Sequence, residues 1–395
     1  MTEPAFTPLK DIRVVEMSHM IMGPACGMFL SLLGAEVIKV EPPGGDKTRY
    51  LQGMGRPMHP LFNRGKKSVC LDLKSEAGQN ALHRLLGSAD VLVENFRDSA
   101  LHGMGLDPEA LRARYPRLIL SGCKGFLEGP YQNRTALDEV VQMMTGLAYM
   151  TGPPGRPLRV GSSANDIMGG LFGAFAVLAA LLERQESGEG RTIRVGLFEN
   201  CLLLVAQHMV QFDLDGVNPP PMPARDFAWP VYDVFDTASD RQLFIGAVTD
   251  GQWHTITGLL GLEHLRDDPR LQGREAQIAA RSWTVPIFAE AIARFTAEEL
   301  IAMFEPHGIP FSPIARPGDM FEDPHVLRPG GLMTSHMPDG QAFRAPTLPF
   351  EVDHLSGAPA GDVRAVGEDT EAVLGALGLS AEDIAASRGP AEAAA

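Results

Sequence analysis

The sequence predicts an α/β protein organised around a mostly parallel β-sheet with helices on both faces. Short runs of β-branched residues alternate with segments of helical period, this alternation fills the first half of the chain, and a run of prolines then breaks it. With 395 residues, of which 45% are hydrophobic, the chain is long enough for two separate cores. We therefore expect one large domain and one smaller domain.

The elements of the large domain begin with a βαβ unit. A strand over residues 11–16 leads to a helix over 24–33, which Gly23 and Pro24 open, and then to a second strand over 35–40. The pattern continues with strands at 68–72, 90–94, 117–121 and 191–196 and helices at 78–86, 108–115, 137–149, 167–184 and 198–210. Strands that alternate with helices in this way typically pair in parallel.

A smaller domain is predicted after the proline-rich segment 218–223, the best linker in the chain. Two strands, 231–235 and 242–248, open this domain, and helices follow. A second segment rich in proline and glycine, 316–331, closes it. The chain then runs to an alanine-rich end that we expect to fray.

Composition and charge exclude several classes of protein. A net charge of −15 repels polyanions, so nucleic-acid binding is not expected. Four cysteines lie far apart with no CxxC pair, which argues against a zinc site or a disulfide framework and favours reduced, buried thiols. The longest apolar stretch, 168–182, is shorter than the roughly 18 to 20 residues that cross a bilayer, so no membrane span is predicted. The N-terminal segment carries no secretory signal, which favours the cytoplasm.

Familiar catalytic motifs are absent from the sequence. No GxGxxG follows the first strand, and Pro60 stands where a phosphate-binding P-loop needs its first glycine. The sequence also lacks HExxH, any other metal-spaced histidine pair and a GxSxG elbow. No metal ligands are therefore predicted, and metal-dependent and serine hydrolases are disfavoured.

The most informative residue is Asp166, in the segment Gly161-Ser-Ser-Ala-Asn-Asp-Ile-Met-Gly-Gly170. It falls in the predicted first turn of a helix rich in small residues, where little bulk shields a carboxylate and glycines let a substrate approach. The positive end of the helix dipole favours the ionised carboxylate there. An aspartate in this position is also a common helix-start residue, so the segment alone leaves both roles open.

Polar and basic residues collect at or just after the predicted strand ends. They are Arg49, Asn63, Arg64, Lys66, Lys67, Lys74, Asn95, Arg97 and Lys124, with Phe96 among them. The crevice at the carboxyl ends of parallel strands is where α/β sheets bind ligands. Cations there in an acidic protein indicate a phosphorylated ligand, with Phe96 available to stack on a base; a solvated rim of charges is the alternative.

A set of motifs in one register resembles a known family. They are Leu9-Lys-Asp-Ile-Arg-Val-Val-Glu16, Gly23-Pro24, Leu33-Gly-Ala-Glu-Val-Ile-Lys-Val-Glu-Pro-Pro-Gly-Gly-Asp46, Asn63-Arg-Gly-Lys-Lys-Ser68, Asp90-Val-Leu-Val-Glu-Asn-Phe-Arg97 and Lys124-Gly-Phe126. Over nearly its whole length the chain resembles the class III CoA-transferases, the family of formyl-CoA transferase, carnitine CoA-transferase and the α-methylacyl-CoA racemases.

The resemblance implies a Rossmann-like, doubly wound large domain, a smaller α+β domain and an interlocked homodimer. Residues 1–217 and the returning segment 329–395 would form the large domain, and residues 218–328 the small one. Coenzyme A would be part of the substrate, with no permanently bound cofactor, and Asp166 would be the catalytic residue. The matching CoA-binding positions are Leu71, Lys74, Asn95, Phe96, Arg97, Met104 and Lys124. The tetraglycine loop of the formyl-CoA transferases is missing, which argues against formate or oxalate specificity.

The implied reaction transfers CoA from an acyl-CoA to a small carboxylic acid through aspartyl mixed-anhydride and aspartyl-CoA thioester intermediates. A dicarboxylate acceptor would need an extra cation, for which Arg225 and Arg241 of the small domain are candidates that the spacing does not choose between. The alternatives are an acyl-CoA isomerase or racemase, a thioesterase, and a CoA-binding protein without transferase activity. Racemases carry a histidine where this chain has Leu137, so epimerisation is disfavoured and the following Asp138 is interpreted as a supporting residue.

Overall fold

The computed structural model of the chain describes residues 5–225, 227–357 and 361–389. The chain divides into two compact units. The first contains residues up to 223 together with those from 327 onward, and the second contains residues 224–326. The fraying predicted for the alanine-rich end falls beyond residue 389, outside the described residues.

A six-stranded sheet forms the centre of the first unit. Its strands are β1 (Arg13–Met17), β2 (Glu36–Glu41), β3 (Lys67–Cys70), β4 (Val91–Glu94), β5 (Ile119–Lys124) and β6 (Thr192–Gly196). Every pairing is parallel, in the spatial order β3-β2-β1-β4-β5-β6. The predicted parallel α/β sheet is confirmed, and each predicted strand of this unit overlaps an observed one. Because β1 and β4 are neighbours, the segments that follow them meet at the same edge of the sheet.

Nine helices of the described residues accompany this sheet before the proline-rich segment. They are α1 (Met22–Leu32), α2 (Met58–Asn63), α3 (Glu76–Gly87), α4 (Asp98–Gly103), α5 (Pro108–Arg114), α6 (Asp138–Thr145), α7 (Leu147–Thr151), α8 (Ala164–Ser187) and α9 (Leu197–Asp215). The single helix predicted over 137–149 is two helices, because Gly146 between them has a φ of 88°. The short helices α2 and α4 escaped the sequence analysis.

The second unit contains an antiparallel sheet and five helices among its described residues. Its elements are β7 (Val231–Asp236), β8 (Gln242–Ala247), α10 (Asp250–Leu259), α11 (Glu263–Arg266), α12 (Arg274–Ala279), α13 (Arg281–Ile292), α14 (Ala297–Phe304) and β9 (Phe311–Pro313). The chain then returns to the first unit with the hairpin β10 (Leu332–His336) and β11 (Ala342–Pro346) and the helices α15 (Thr370–Ala376) and α16 (Ala381–Ser387).

Two hydrophobic cores cover the two faces of the parallel sheet. Val14 belongs to the core shared with α1 and α8, whereas its neighbour Val15 belongs to the core shared with α3, α5 and α16. This follows from the alternation of side chains along a strand, which places successive residues on opposite faces. The four cysteines are free thiols, of which three are buried and Cys70 is partly exposed.

The 24-residue helix α8 is the longest helix among the described residues. By length and composition it is apolar enough to cross a membrane, although the apolar stretch considered in the sequence looked too short. It packs against α1, β5 and β6, with Gly173, Ala174 and Val177 buried. Leu182 and Phe175, in contrast, are exposed on the same helix. The buried face identifies α8 as a core helix of the first unit.

Candidate active site

Asp166 is the third residue of α8, and its side chain is half-buried. Burial and the neighbouring carboxylate of Asp138 raise the pKa of Asp166 to about 7, and the positive charge of Arg159 opposes them. The ionised carboxylate that the helix dipole was expected to favour is therefore opposed by burial and by the like charge of Asp138. Near neutral pH, Asp166 is close to the midpoint of its titration.

Asp138, the first residue of α6, lies buried beside Asp166. Its Oδ2 accepts a hydrogen bond from the backbone N–H of Asp166 at 3.2 Å, and its Oδ1 accepts one from Gln142 Nε2. Gln142 Oε1 in turn accepts the N–H of Val160 at 2.9 Å. Two residues of α6 therefore hold both ends of the segment that leads into α8.

Arg159 brings positive charge to this carboxylate pair without a short ion pair. Its guanidinium lies 3.8 Å from Asp138 and 3.7 Å from Glu139, and it donates to the carbonyls of Val160 at 3.2 Å and Ser162 at 3.1 Å. The side chain is 30% exposed, so solvent reaches the guanidinium. The sequence analysis missed Arg159 and Gln142. One signal was available for Gln142, which lies one helical turn after Asp138.

The glycines after Asp166 serve packing between helices. A Cβ on Gly170 would lie 2.6 Å from Ala25 Cβ and 2.7 Å from Met22 O, and a Cβ on Gly169 would lie 2.7 Å from Met22 Cε. Both glycines are buried, so the expectation that they admit a substrate is wrong. Their N–H groups also lie beyond the first turn, where helix amides bond within the helix rather than to a ligand.

Leu137 directly precedes α6 and is 59% exposed. The resemblance described above matches it to a histidine of the racemases, and its side chain has no group that can accept or release a proton. The structure therefore places an exposed apolar side chain where epimerisation would need a base.

The segment after β1 meets the segment after β4. Asn95 uses both ends of its amide on the backbone of His19: Oδ1 accepts the His19 N–H at 3.1 Å, and Nδ2 donates to the His19 carbonyl at 2.8 Å. The rings of His19 and Phe96 lie 5.8 Å apart, measured between centroids. Met20 follows with a φ of 63°, a strained conformation for a residue other than glycine. Such strain is found where a loop must hold one shape.

The other predicted CoA-binding positions differ in how accessible they are. Lys124 is buried and donates to Glu94 at 2.7 Å and the Phe96 carbonyl at 2.8 Å, with Asp98 at 3.1 Å. Arg97 and Lys74 are exposed, and Arg97 donates to Thr135 at 2.8 Å. The Leu71 side chain is buried in a hydrophobic core, and Met104 packs partly buried against the same core. Asn95, Phe96, Arg97 and Lys124 lie together at the ends of β4 and β5, whereas Leu71 and Lys74 follow β3.

A buried network that includes Lys39 takes up Lys66 and Arg49, two of the cations that the sequence offered for a phosphate. Lys66 lies 2.5 Å from Glu16, and Lys39 lies 3.4 Å from Glu16 and 3.0 Å from Asp46. Arg49 binds both oxygens of Glu41, at 2.6 Å and 2.5 Å. These cations thus form neither a solvated rim nor a free phosphate site.

Buried carboxylates in this network titrate in the opposite direction to Asp166. Although burial acts to raise it, the pKa of Glu41 is lowered to about 2 by its hydrogen bonds with Arg49 and the charges of Arg49 and Lys39. Lys39 and hydrogen bonds from Thr48 likewise outweigh burial and lower the pKa of Asp46. Glu41 and Asp46 therefore stay ionised across the physiological range.

The chain belongs to CoA-transferase family III, whose sequence model matches residues 9–370. It is 32% identical to the succinyl-CoA–D-citramalate CoA-transferase of Chloroflexus aurantiacus over 96% of each chain. It is also 32% identical to the succinate–glutarate CoA-transferase of Agrobacterium fabrum, over 87% of this chain and 89% of that protein. The crystal structure of a CaiB/BaiF family protein from Brucella suis matches with a TM-score of 0.86 at 31% identity, covering 94% of this chain and 99% of that one.

These matches confirm the resemblance read from the motifs. The protein is a class III CoA-transferase.

Proposed function

We propose that the protein transfers CoA from an acyl-CoA to a free carboxylic acid, with Asp166 as the nucleophile. The observation that carries this proposal is the state of Asp166: a half-buried carboxylate with a pKa of about 7, beside a second carboxylate and without a short ion pair to quench it. In a family III chain, a carboxylate held in this way is suited to covalent chemistry.

The proposed steps exchange one bond for another at each stage. A carboxylate oxygen of Asp166 attacks the donor thioester, the C–S bond breaks, and a mixed anhydride and CoA thiolate form. The thiolate attacks the aspartyl carbonyl, releasing the donor acid and leaving an aspartyl-CoA thioester. The acceptor carboxylate then attacks the aspartyl thioester carbonyl, which releases the thiolate and forms a second mixed anhydride. The thiolate finally attacks the acceptor acyl carbonyl of this anhydride, which frees the Asp166 carboxylate and forms the new acyl-CoA. Once Asp166 is ionised, no step requires a proton, a metal or a redox change.

Oxyanion stabilisation in these steps would fall to the start of α8. Because the N–H of Asp166 is already bonded to Asp138, the N–H groups of the two preceding helix residues are the candidates. Gly169 and Gly170 are not candidates, since both lie inside the helix.

We propose a dicarboxylic acid as the acceptor. The relatives at 32% identity are named for succinyl-CoA and citramalate and for succinate and glutarate, all dicarboxylic acids or their CoA esters. Arg159 is a solvent-accessible cation within the Asp138–Asp166 cluster, suited to bind the carboxylate that does not react. It replaces Arg225 and Arg241 as our candidate, because its guanidinium lies 3.8 Å from Asp138, whereas Arg241 lies beside Glu298.

We also propose that the CoA moiety binds at the carboxyl ends of the parallel strands. Asn95, Phe96, Arg97 and Lys74 are the contacts we favour. Lys124 and Met104 would act from behind them, and Leu71 would contribute through its backbone, because its side chain is in the core. The strand order of the sheet supports a Rossmann-like, doubly wound large domain with a ligand crevice between β1 and β4.

A homodimer and a cytoplasmic location complete the proposal. Exposed apolar side chains on α8 and α9, among them Phe175, Leu182, Leu203 and Leu214, indicate a surface that a second copy covers. A cavity of about 510 Å³ between α7 and α9 extends this apolar region. Light scattering on the purified protein tests the dimer, and fractionation of the producing cells tests the location.

The test of the function is an exchange assay. Purified protein is incubated with succinyl-CoA and a panel of mono- and dicarboxylic acids, and new CoA thioesters are followed by mass spectrometry. We expect exchange that Asp166→Asn reduces by at least about a thousandfold, since the nucleophile is removed. Glu186→Gln, at the far end of α8, is the matched control and should retain full activity.

Other outcomes of this assay identify the alternative functions. Release of free CoA without an acceptor indicates a thioesterase. Epimerisation of a 2-methylacyl-CoA without exchange indicates a racemase. Binding of CoA with neither reaction indicates a CoA-binding protein, and exchange that survives in Asp166→Asn contradicts the assignment of the nucleophile.

A further inference from the structure

The peptide group that joins Asn165 to Asp166 is held at both of its polar ends. Its carbonyl oxygen accepts a hydrogen bond from Asn200 Nδ2 at 2.7 Å, and its N–H donates to Asp138 Oδ2 at 3.2 Å. The two side chains come from different helices, α9 and α6, so the peptide plane directly before the proposed nucleophile is fixed from two sides.

Asn165 and Asn200 form a buried amide pair beneath this peptide. Asn165 is fully buried, and its Nδ2 donates to the carbonyl of Leu197 at 3.1 Å. Asn200 is also buried, and its Nδ2 reaches Asn165 Oδ1 at 2.5 Å as well as the Asn165 carbonyl. The first turn of α9 therefore holds the first turn of α8 through three hydrogen bonds.

The helix start needs such support because its own cap is missing. Ser163 makes no capping hydrogen bond, so the first turn of α8 lacks the side-chain acceptor that usually satisfies the N–H of the second or third helix residue. Asp138 supplies that acceptor from another helix. A frayed first turn would let the Asp166 side chain move, and attack on a thioester depends on placement within about an ångström.

We propose that Asn200 is a positioning residue for the covalent step, holding the Asn165–Asp166 peptide in the plane that aims the Asp166 carboxylate at the thioester. This inference rests on the proposed role of Asp166 as nucleophile. Asn200 contacts the backbone carbonyl and the Asn165 side chain, so it acts through Asp166 without contributing charge to it. Asp138, in contrast, changes both the geometry and the electrostatics of Asp166.

The experiment measures how fast Asp166 is acylated. Wild type and variants are mixed with succinyl-CoA without an acceptor, quenched at short times, and the adduct on the Asp166 peptide is quantified by mass spectrometry. Asn200→Leu keeps the volume of the side chain and Asn200→Ala reduces it, and both lack the donor. We expect adduct formation and kcat to fall about 30-fold with KM within about threefold of wild type, because placement rather than binding is lost.

A matched control separates positioning from general loss of a buried amide. Gln277 is a buried amide in the second unit that donates to the carbonyl of Leu271 at 3.1 Å. Gln277→Leu should lower thermal stability to a similar degree and leave adduct formation unchanged. The rate of adduct formation is compared with wild type in whichever of the two Asn200 variants folds.

The outcomes distinguish this inference from the proposed function. No adduct on Asp166 in the wild type overturns the nucleophile and the positioning role together. An adduct that forms in the wild type and equally fast in a folded Asn200 variant overturns the positioning role alone. A fall in kcat matched by an equal rise in KM would also overturn it, since binding would then be affected.

Discussion

Two regions of the first unit bury carboxylates and shift their pKa values in opposite directions. In the network behind the sheet edge, Glu41 receives Arg49 at 2.6 Å and 2.5 Å, and its pKa is lowered to about 2. At the start of α8, Asp166 has a carboxylate as its neighbour, and its pKa is raised to about 7. Burial acts to raise the pKa of both groups, so the neighbouring charges decide the outcome: Arg49 and Lys39 at Glu41, and mainly Asp138 at Asp166.

The difference shows how the chain uses its basic residues. Lys39, Lys66 and Arg49 stabilise the buried framework, whereas Arg159 stays 3.8 Å from Asp138 and makes no short ion pair there. A carboxylate paired like Glu41 would be a poor nucleophile, because its charge is already neutralised by hydrogen bonds. The reactivity that we propose for Asp166 thus depends on the distance at which Arg159 is held from the carboxylate pair.

The largest expected effect comes from removing one cation, Lys66, from the buried network. Lys66→Met leaves the buried Glu16 with the Ser18 hydroxyl at 3.0 Å and Lys39 at 3.4 Å as its partners, and we expect a loss of about 3 kcal/mol in the free energy of unfolding. The adjacent Lys67 pairs with Glu36 at 2.5 Å but is 43% exposed, so Lys67→Met should cost less than about 1 kcal/mol. Urea denaturation of both variants checks this, and equal losses would contradict the framework role of Lys66.

The second prediction concerns Asp166, whose ionised carboxylate should lower the free energy of unfolding. In the folded protein Asp166 keeps its proton up to about pH 7, whereas in the unfolded chain it releases the proton near pH 3.8. The ionised carboxylate therefore destabilises the fold increasingly as pH rises between these values. Asp166→Asn should therefore stabilise the protein at pH 8 by on the order of 2 kcal/mol, and the gain should shrink toward pH 5. Denaturation at the two pH values measures it, and a destabilised variant at pH 8 would contradict the account.

The third prediction concerns the cation that is held at a distance. Arg159→Leu should raise KM for a dicarboxylate acceptor about tenfold, because a charge-assisted hydrogen bond is lost, and should change KM for a monocarboxylate much less. The control is Arg194→Leu. It removes another partly exposed arginine, which pairs with Asp98 at 3.0 Å. An equal rise in KM for both classes of acid would assign Arg159 a purely structural role.

The smallest expected effect concerns how much the charge of Asp138 contributes to the pKa of Asp166. Asp138→Asn keeps an oxygen that can accept the Asp166 N–H but removes a negative charge, so the pKa of Asp166 should fall. The acid limb of kcat/KM, which we place near pH 7 in the wild type, should then move to lower pH. A profile that stays in place would show that burial alone sets the pKa of Asp166.

The sequence predicted the parallel sheet well because its signal is local. Each predicted strand of the large domain overlaps an observed one, since β-branched runs between helical periods reflect short-range preferences. The break between α6 and α7 was missed, although Gly146 was visible in the sequence. A glycine can occur within a helix, and only the fold shows that this one takes a positive φ.

The site was less predictable because its contacts join distant segments. Asp166 was identified from its motif, but its raised pKa depends on Asp138, 28 residues earlier in the chain. The role of Asn200 depends on a contact with Asn165, and that of Lys66 on a contact with Glu16, 50 residues away. Composition and spacing show that such groups exist, and only the packing of helices and strands determines which of them meet.

The most direct test of the central claim is the pH dependence of acyl-adduct formation on Asp166 in the wild-type protein. We predict an adduct on the Asp166 peptide whose rate of formation rises with pH through about 7 and then levels off, as an unpaired, half-buried carboxylate loses its proton. An adduct rate that is flat from about pH 5 upward would show a carboxylate with an ordinary pKa. That result, or the absence of any adduct, would contradict the account.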